Sequence, residues 1–274
     1  DWKVLGSQAV QDVIERIERG YKLFFKAVRD RSGRKVRPPT FKKVSRYRSF
    51  TLKQAGWKLI APGRVKVGGC VYRFHQSRAI EGKVKTVTLG RDSVGDFWIT
   101  FSVETEDTAP IKAATGRTGG FDFGLKRFLS GSDGTGVQMP QPLKADLTRL
   151  KKANRDLSRK KRGSHGRNRA RKAFARLHRR IANRRRDFHH KQARELVQAF
   201  DVICVEDLNL AGMKALWGRK VSDSGFAEFA SILEHHCRKA GKSLIKIDRY
   251  FPSSKTCSSC GHNHQKLSLR DRTW

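Results

Sequence analysis

The apolar residues of this chain change their period several times, and each change marks an element. From Gln8 to Val28, the residues Ala9, Val13, Ile17, Leu23, Phe24 and Phe25 recur mostly three and four positions apart, which predicts an amphipathic helix bent or broken near Gly20. From Phe50 to Glu106 the period falls to two. Lys83 to Leu89 and Phe97 to Val103 read as strands joined around Gly90 to Asp96, with Phe97, Ile99, Phe101 and Val103 on one face, and the region as a whole reads as a β-barrel. Thr108 to Thr118, polar and holding Pro110 and Gly116, is a linker. Leu143 to Phe200 returns to steps of three, four and seven, with one seam through Leu143, Leu147, Leu150 and Leu157 and another through Phe174, Leu177, Ile181 and Phe188. Gly163 to Gly166 interrupts it, so a long helical hairpin is expected. Val202 to Val205 is a short β-branched run suited to a central strand; a helix from about Asp223 to Ala240 packs through Phe226, Phe229, Ile232 and Leu233, and Leu244 to Ile247 is a further strand.

Two acids stand where these strands should be apolar. Asp122 lies inside Gly119 to Gly134, GGFDFGLKRFLSGSDG, a strand entering a hairpin, and Glu206 closes the run in DVICVEDLNL. A carboxylate on a buried strand costs several kcal/mol unless a cation or donors offset it. Asp122 is thus either a solvated hairpin-end residue or half of a site, and Gly124, two residues on, leaves room beside it. Two strand carboxylates in one α/β domain suit a hard divalent cation such as magnesium. Asp248, followed by Arg249, reads as structural.

Charge then narrows the partner. With 60 Lys and Arg against 25 Asp and Glu, a net charge of +35 exceeds what solubility requires and implies a polyanion, nucleic acid before an anionic membrane. Neither an apolar span long enough for a bilayer nor a signal peptide is evident, and five cysteines form no disulfide framework, so the cytoplasm is expected. The basic residues concentrate in two places. Between Lys144 and Arg194 there are 21 basic and 3 acidic residues, with Arg159, Lys160, Lys161 and Arg162 in one run and Arg184, Arg185 and Arg186 in another. Earlier, Ser32 to Arg48 interleaves Phe41 and Tyr47 with Lys42, Lys43 and Arg46, which is either a solvated loop or a surface that grips a strand and stacks on bases. His178, His189 and His190 read as exposed or phosphate-facing. Near the end, Cys257-Ser258-Ser259-Cys260-Gly261 is half of a zinc ribbon, and His262 and His264 lie too close to Cys260 to complete a tetrahedron without strain.

The segments GGFDFGLKRFLSGSDG, DVICVEDLNLAGM and DRYFPSSKTCSSCGH, in that order, resemble the RuvC-like nuclease core of the transposon-encoded TnpB family, relatives of type V CRISPR effectors. The resemblance runs from about Gly20 to Trp274. It implies an α/β, RNase H-like (RuvC) nuclease domain preceded by a β-barrel wedge-like domain and a helical segment, and followed by a partial zinc ribbon. The divisions are residues 1–31, a helical recognition segment; 32–117, the basic loop and wedge; 118–250, the nuclease domain carrying the hairpin 143–200; and 251–274, the incomplete ribbon.

It further implies an RNA-guided DNA endonuclease whose partners are guide RNA and target DNA, with Asp122 and Glu206 as catalytic magnesium ligands and Cys257 and Cys260 as half of a zinc site. The family's third acid and second cysteine pair follow the position of Trp274 and have no counterpart here, and a chain opening on Asp1 rather than Met reads as a fragment. That keeps a second reading open, a nuclease-dead RNA-guided DNA-binding protein. Asp122 and Glu206 are expected to converge on one cleft facing the basic hairpin.

Overall fold

The computed structural model describes residues 6–30, 36–43, 46–105, 113–248, 251–252, 255–257 and 260–264. The chain divides into two compact units, Asp1–Thr108 with Arg171–Ala175, and Ala109–Ala170 with Arg176–Trp274. No described helix is long and apolar enough to cross a membrane.

In the first unit, α1 (Ser7–Arg29) runs unbroken through Gly20. The expected bend is absent, because the glycine serves a close approach instead: a Cβ there would meet the Pro39 ring at 2.7 Å. Helix α1 is fixed to β1 (Ser49–Leu52) by polar contacts. Buried Asp12 accepts from the Thr51 amide at 2.9 Å and pairs with Arg16 at 2.8 Å, while Arg16 donates to the Ser49 carbonyl.

The expected barrel is instead two separate antiparallel sheets. One joins β1 to β5 (Lys83–Arg91) and β6 (Phe97–Glu104); the other is the meander of β2 (Trp57–Ala61), β3 (Arg64–Val67) and β4 (Cys70–Arg73). A barrel needs its edges paired, and every residue of β4 is exposed. The β5–β6 turn is closed by Asp92, whose Oδ1 accepts from the amides of Val94, Gly95 and Asp96.

The second unit is built on a five-stranded sheet whose strands lie in the order β11 (Ser243–Ile247), β10 (Val202–Glu206), β7 (Thr118–Phe123), β8 (Leu129–Gly131) and β9 (Gly136–Val137). Strands β7, β8 and β9 form an antiparallel meander. On the other side of β7 lie β10 and β11, both parallel. Period-two alternation separates the two faces of this sheet. Phe121, Phe123, Ile203 and Val205 point one way, into a core closed by Ala193, Leu196 and Val197 and by Phe229 and Leu233. Gly119 lets Phe200 approach, since a Cβ there would lie 2.9 Å from its ring.

The core-covering residues come from two helical regions. The expected hairpin is α2 (Pro142–Ala145), α3 (Leu147–Ser158) and α4 (His165–Ala199), with Ser164 capping α4 by accepting from the Arg167 amide. The expected helix from about Asp223 to Ala240 is α6 (Phe226–Ala240); before it stands a further helix, α5 (Leu210–Ser224), which ends at Gly225 with φ 62°. Asp201 fastens the sheet's entry: it accepts from the Thr115 and Gly116 amides and pairs with buried Lys242, which together hold its carboxyl well below the ordinary range.

Candidate functional site

On the sheet face away from the core, the register sets the two acids side by side. Val205 pairs with Phe121, so the next residue on each strand brings Glu206 beside Asp122. Burial raises the Glu206 carboxyl above its ordinary range, and the charge and hydrogen bond of Asp122 raise it further. Asp122 is exposed and Glu206 half-buried on these adjacent parallel strands, so both carboxyls are accessible from the same face.

The pair opens into a cleft of about 290 Å³ that also takes in Cys204, Ser130, Ser132 and Phe251. Its room comes from Gly120, where an added Cβ would meet nothing nearer than Ser132 at 3.8 Å. Gly124 does not supply that space: a Cβ there would lie 2.7 Å from the Arg127 carbonyl, so the glycine serves the β7–β8 turn. Asp248, set aside as structural in the sequence, lines the same cleft, because β11 runs beside β10 with Ile247 opposite Glu206. Among the described residues no group of three His, Cys, Asp or Glu side chains is close enough to hold one ion, so Asp248 borders the pair without joining it. The oxygen donors fit a hard cation such as magnesium through two carboxylates, leaving its other positions to water or substrate.

The cleft does not face the basic hairpin as expected. The last turns of α4 pack through Leu196 and Val197 onto the core side, which is the opposite face of the sheet. The hairpin's cations also divide into two kinds. Arg159, Lys160, Lys161 and Arg162 are all exposed in the turn between α3 and α4. The Arg184 to Arg186 run is partly internal: Arg184 lies 3.6 Å from buried Asp146, and Arg185 and Arg186 both pair with Glu228, at 3.2 and 3.0 Å. Arg185 also donates to the Ser222 carbonyl, so it ties α4 to the α5–α6 junction. His189 is neither exposed nor phosphate-facing. It is fully buried against Phe128 and Phe229, with Nε2 2.9 Å from the Ser224 carbonyl, and burial pushes its pKa down to about 4.

In the first unit, Lys42, Lys43 and Arg46 are exposed, Lys42 stands over the Tyr47 ring at 4.9 Å, and Phe41 is 91% exposed. At the other end of the chain, Thr256 bridges Asn263, the Cys257 amide donates to the His262 carbonyl, and the Gly261 amide donates to the Cys257 carbonyl. This closes a knuckle that carries Cys257 and Cys260. Two thiols fit zinc in chemistry but supply only half of a tetrahedral set.

A family described as "Probable transposase" (OrfB_IS605) matches residues 100–216, and the "Cas12f1-like, TNB domain" matches residues 226–274. The chain is 39% identical over 191 residues to a "Putative RNA-guided DNA endonuclease" of Streptomyces pristinaespiralis, covering 69% of this chain and 47% of that protein. It is 27% identical over 286 residues to the "Putative RNA-guided DNA endonuclease InsQ" of Escherichia coli (strain K12), covering 96% and 67%. The chain thus spans about half of the first relative's length. A Cas12f1 chain, from a cryo-EM structure of its complex with sgRNA and target DNA, superposes over 96% of this chain and 65% of its own length, with a TM-score of 0.54 at 14% identity, a likeness of fold.

Proposed function

This chain belongs to the TnpB family, and on that footing we propose that it acts in the cytoplasm as an RNA-guided DNA endonuclease, hydrolysing phosphodiesters at the Asp122–Glu206 cleft. One observation carries the reading: two carboxylates set side by side on adjacent parallel strands, lining one open cleft. The order of an antiparallel meander followed by two parallel strands is the one expected of an RNase H-like sheet, which supports a RuvC-like nuclease domain.

In this mechanism Asp122 and Glu206 would hold magnesium, which when bound would polarise a phosphodiester and acidify a water. The rigid part is the chain's own. Backbone pairing of β7 with β10 fixes the two carboxyls before substrate arrives, so little reorganisation is needed at the reacting phosphate. Asp248, at the cleft's border, is placed to accept a proton or orient a water. The exposed cations Arg159 to Arg162, with Lys42, Lys43 and Arg46, neutralise the guide RNA backbone and bring the DNA strand with it. Cys257 and Cys260 would hold their half of a zinc ion and stiffen the C-terminal knuckle.

The test supplies the guide RNA recovered from the purified protein, a matched DNA and magnesium. Cutting that is lost in Asp122→Ala, while RNA retention is kept, supports the proposal. RNA-guided binding with no cutting by the unaltered chain would favour the nuclease-dead reading instead.

A further inference from the structure

The second unit holds a further cavity apart from the acidic cleft. It measures about 630 Å³ and opens between the β7–β8 turn, the start of α2 and α3, and the last turns of α5. Its floor is apolar, made by Leu125, Leu143 and Leu147. The latter two are half-buried, stand outside the core cluster and line the cavity. Lys126, Lys144, Arg219 and Lys220 line it from three different segments, all four exposed. Among the described residues none of these four forms an ion pair or side-chain hydrogen bond.

The cavity's carboxylate, Asp223, does not compete for them. Both of its oxygens are taken by backbone donors, the amides of Leu143 and Lys144 at 2.9 and 3.1 Å. Helix α5 departs from helical geometry at Trp217 (φ −130°, ψ 35°), and beyond that kink buried Val221 and Asp223 anchor the last turns, so Arg219 and Lys220 are held at the cavity by a fixed segment. A free inorganic anion would use the cations and leave the leucines wet. An apolar ligand would use the leucines and leave four charges uncompensated. A nucleotide matches both, with a flat base for the floor and a phosphate for the rim, and the volume suits one such unit.

We propose that this cavity takes one unpaired nucleotide of a bound nucleic-acid strand, its base against Leu143 and Leu147 and its phosphates among Lys126, Lys144, Arg219 and Lys220. The assignment rests on the nucleic-acid-binding reading above and adds to it a defined subsite outside the acidic cleft. In the test, fluorescein-labelled single-stranded 8-mers of RNA and DNA, an abasic RNA 8-mer, and AMP are titrated against the intact chain at 0.15 M salt. Arg219→Ala/Lys220→Ala should weaken the 8-mers by at least about tenfold. A charge-matched control on exposed residues of α6, Arg238→Ala/Lys239→Ala, should weaken them by no more than about threefold.

Leu147→Gln should weaken the base-bearing 8-mers about fivefold and leave the abasic strand unchanged. The RNA and DNA arms identify which strand supplies the nucleotide. Equal losses in the cavity and control variants, or equal effects of Leu147→Gln on abasic and base-bearing strands, would overturn the subsite while leaving general nucleic-acid binding standing. AMP binding as tightly as either 8-mer would overturn the assignment to a strand. Failure of the unaltered chain to bind any 8-mer would overturn the nucleic-acid reading itself.

Discussion

Lowering the pH from 7.5 to 5.0 should destabilise the second unit through a single buried imidazole. His189 is fully buried, its Nε2 bonds the Ser224 carbonyl, and among the described residues its Nδ1 has no hydrogen-bond partner; Glu228 lies 4.0 Å from Nδ1. Nε2 therefore carries the proton of the neutral ring. Desolvation lowers its pKa from 6.5 to about 4; the Ser224 bond and Glu228 oppose that shift, while Arg185 and His190 add to it. The unfolded chain thus binds a proton at a pH where the folded one does not. The stabilisation is complete above about pH 6.5, declines as pH falls below that, and is exhausted below about pH 4.

At pH 5 these two values correspond to a loss of about 2 kcal/mol, or roughly 4–8 °C in melting temperature for a unit of this size. Thermal melts at pH 7.5 and 5.0 should be compared with those of His189→Gln, whose amide keeps a donor for Ser224 without titrating. The unaltered protein should lose about 2 kcal/mol more than the variant between the two conditions. Equal losses would show that His189 is already protonated in the folded state, or reached by water, and would refute the reasoning.

Three further outcomes follow from the geometry. Replacing Asp122 with Asn removes a like charge from Glu206, so the Glu206 carboxyl should fall toward its ordinary value, which carboxyl NMR titration would detect. Neutralising Arg159, Lys160, Lys161 and Arg162 should reduce RNA retention and its salt dependence at unchanged melting temperature, because all four are exposed; unchanged affinity at every salt concentration would contradict this. Replacing Arg185 should instead lower thermal stability by about 1–3 kcal/mol, since it breaks the Glu228 pair and the Ser222 bond, and a stability loss absent from Arg185→Ala would deny it that structural role.

The sheet and its acids were legible because both depend on short-range pattern. Val202 to Val205 and Phe121 to Phe123 are apolar at strand period, and a carboxylate at the next strand position stands out against them. What escaped the sequence depended on contacts between distant segments. Gly20 reads as a helix breaker until Pro39 is known to press on it, and Gly124 as free space until the Arg127 carbonyl is placed beside it. His189 was hidden by the charges around it, although Ile181, Ala193 and Leu196 lie at helical spacing from it and mark the same buried face. Asp248 was passed over on account of its neighbour Arg249, while cross-strand register, invisible in one sequence, carries β11 alongside Glu206 and ends it at the cleft.

The measurement closest to the central claim is cleavage of a DNA matched to the co-purifying RNA, in magnesium, by the unaltered chain and by Asp122→Ala, Glu206→Gln and Asp248→Asn. The account predicts that the first two variants keep their RNA and lose cutting by about a hundredfold or more, with Asp248→Asn reduced less, as a bordering residue should be. Cutting undiminished by loss of both Asp122 and Glu206 would place the chemistry elsewhere and contradict it.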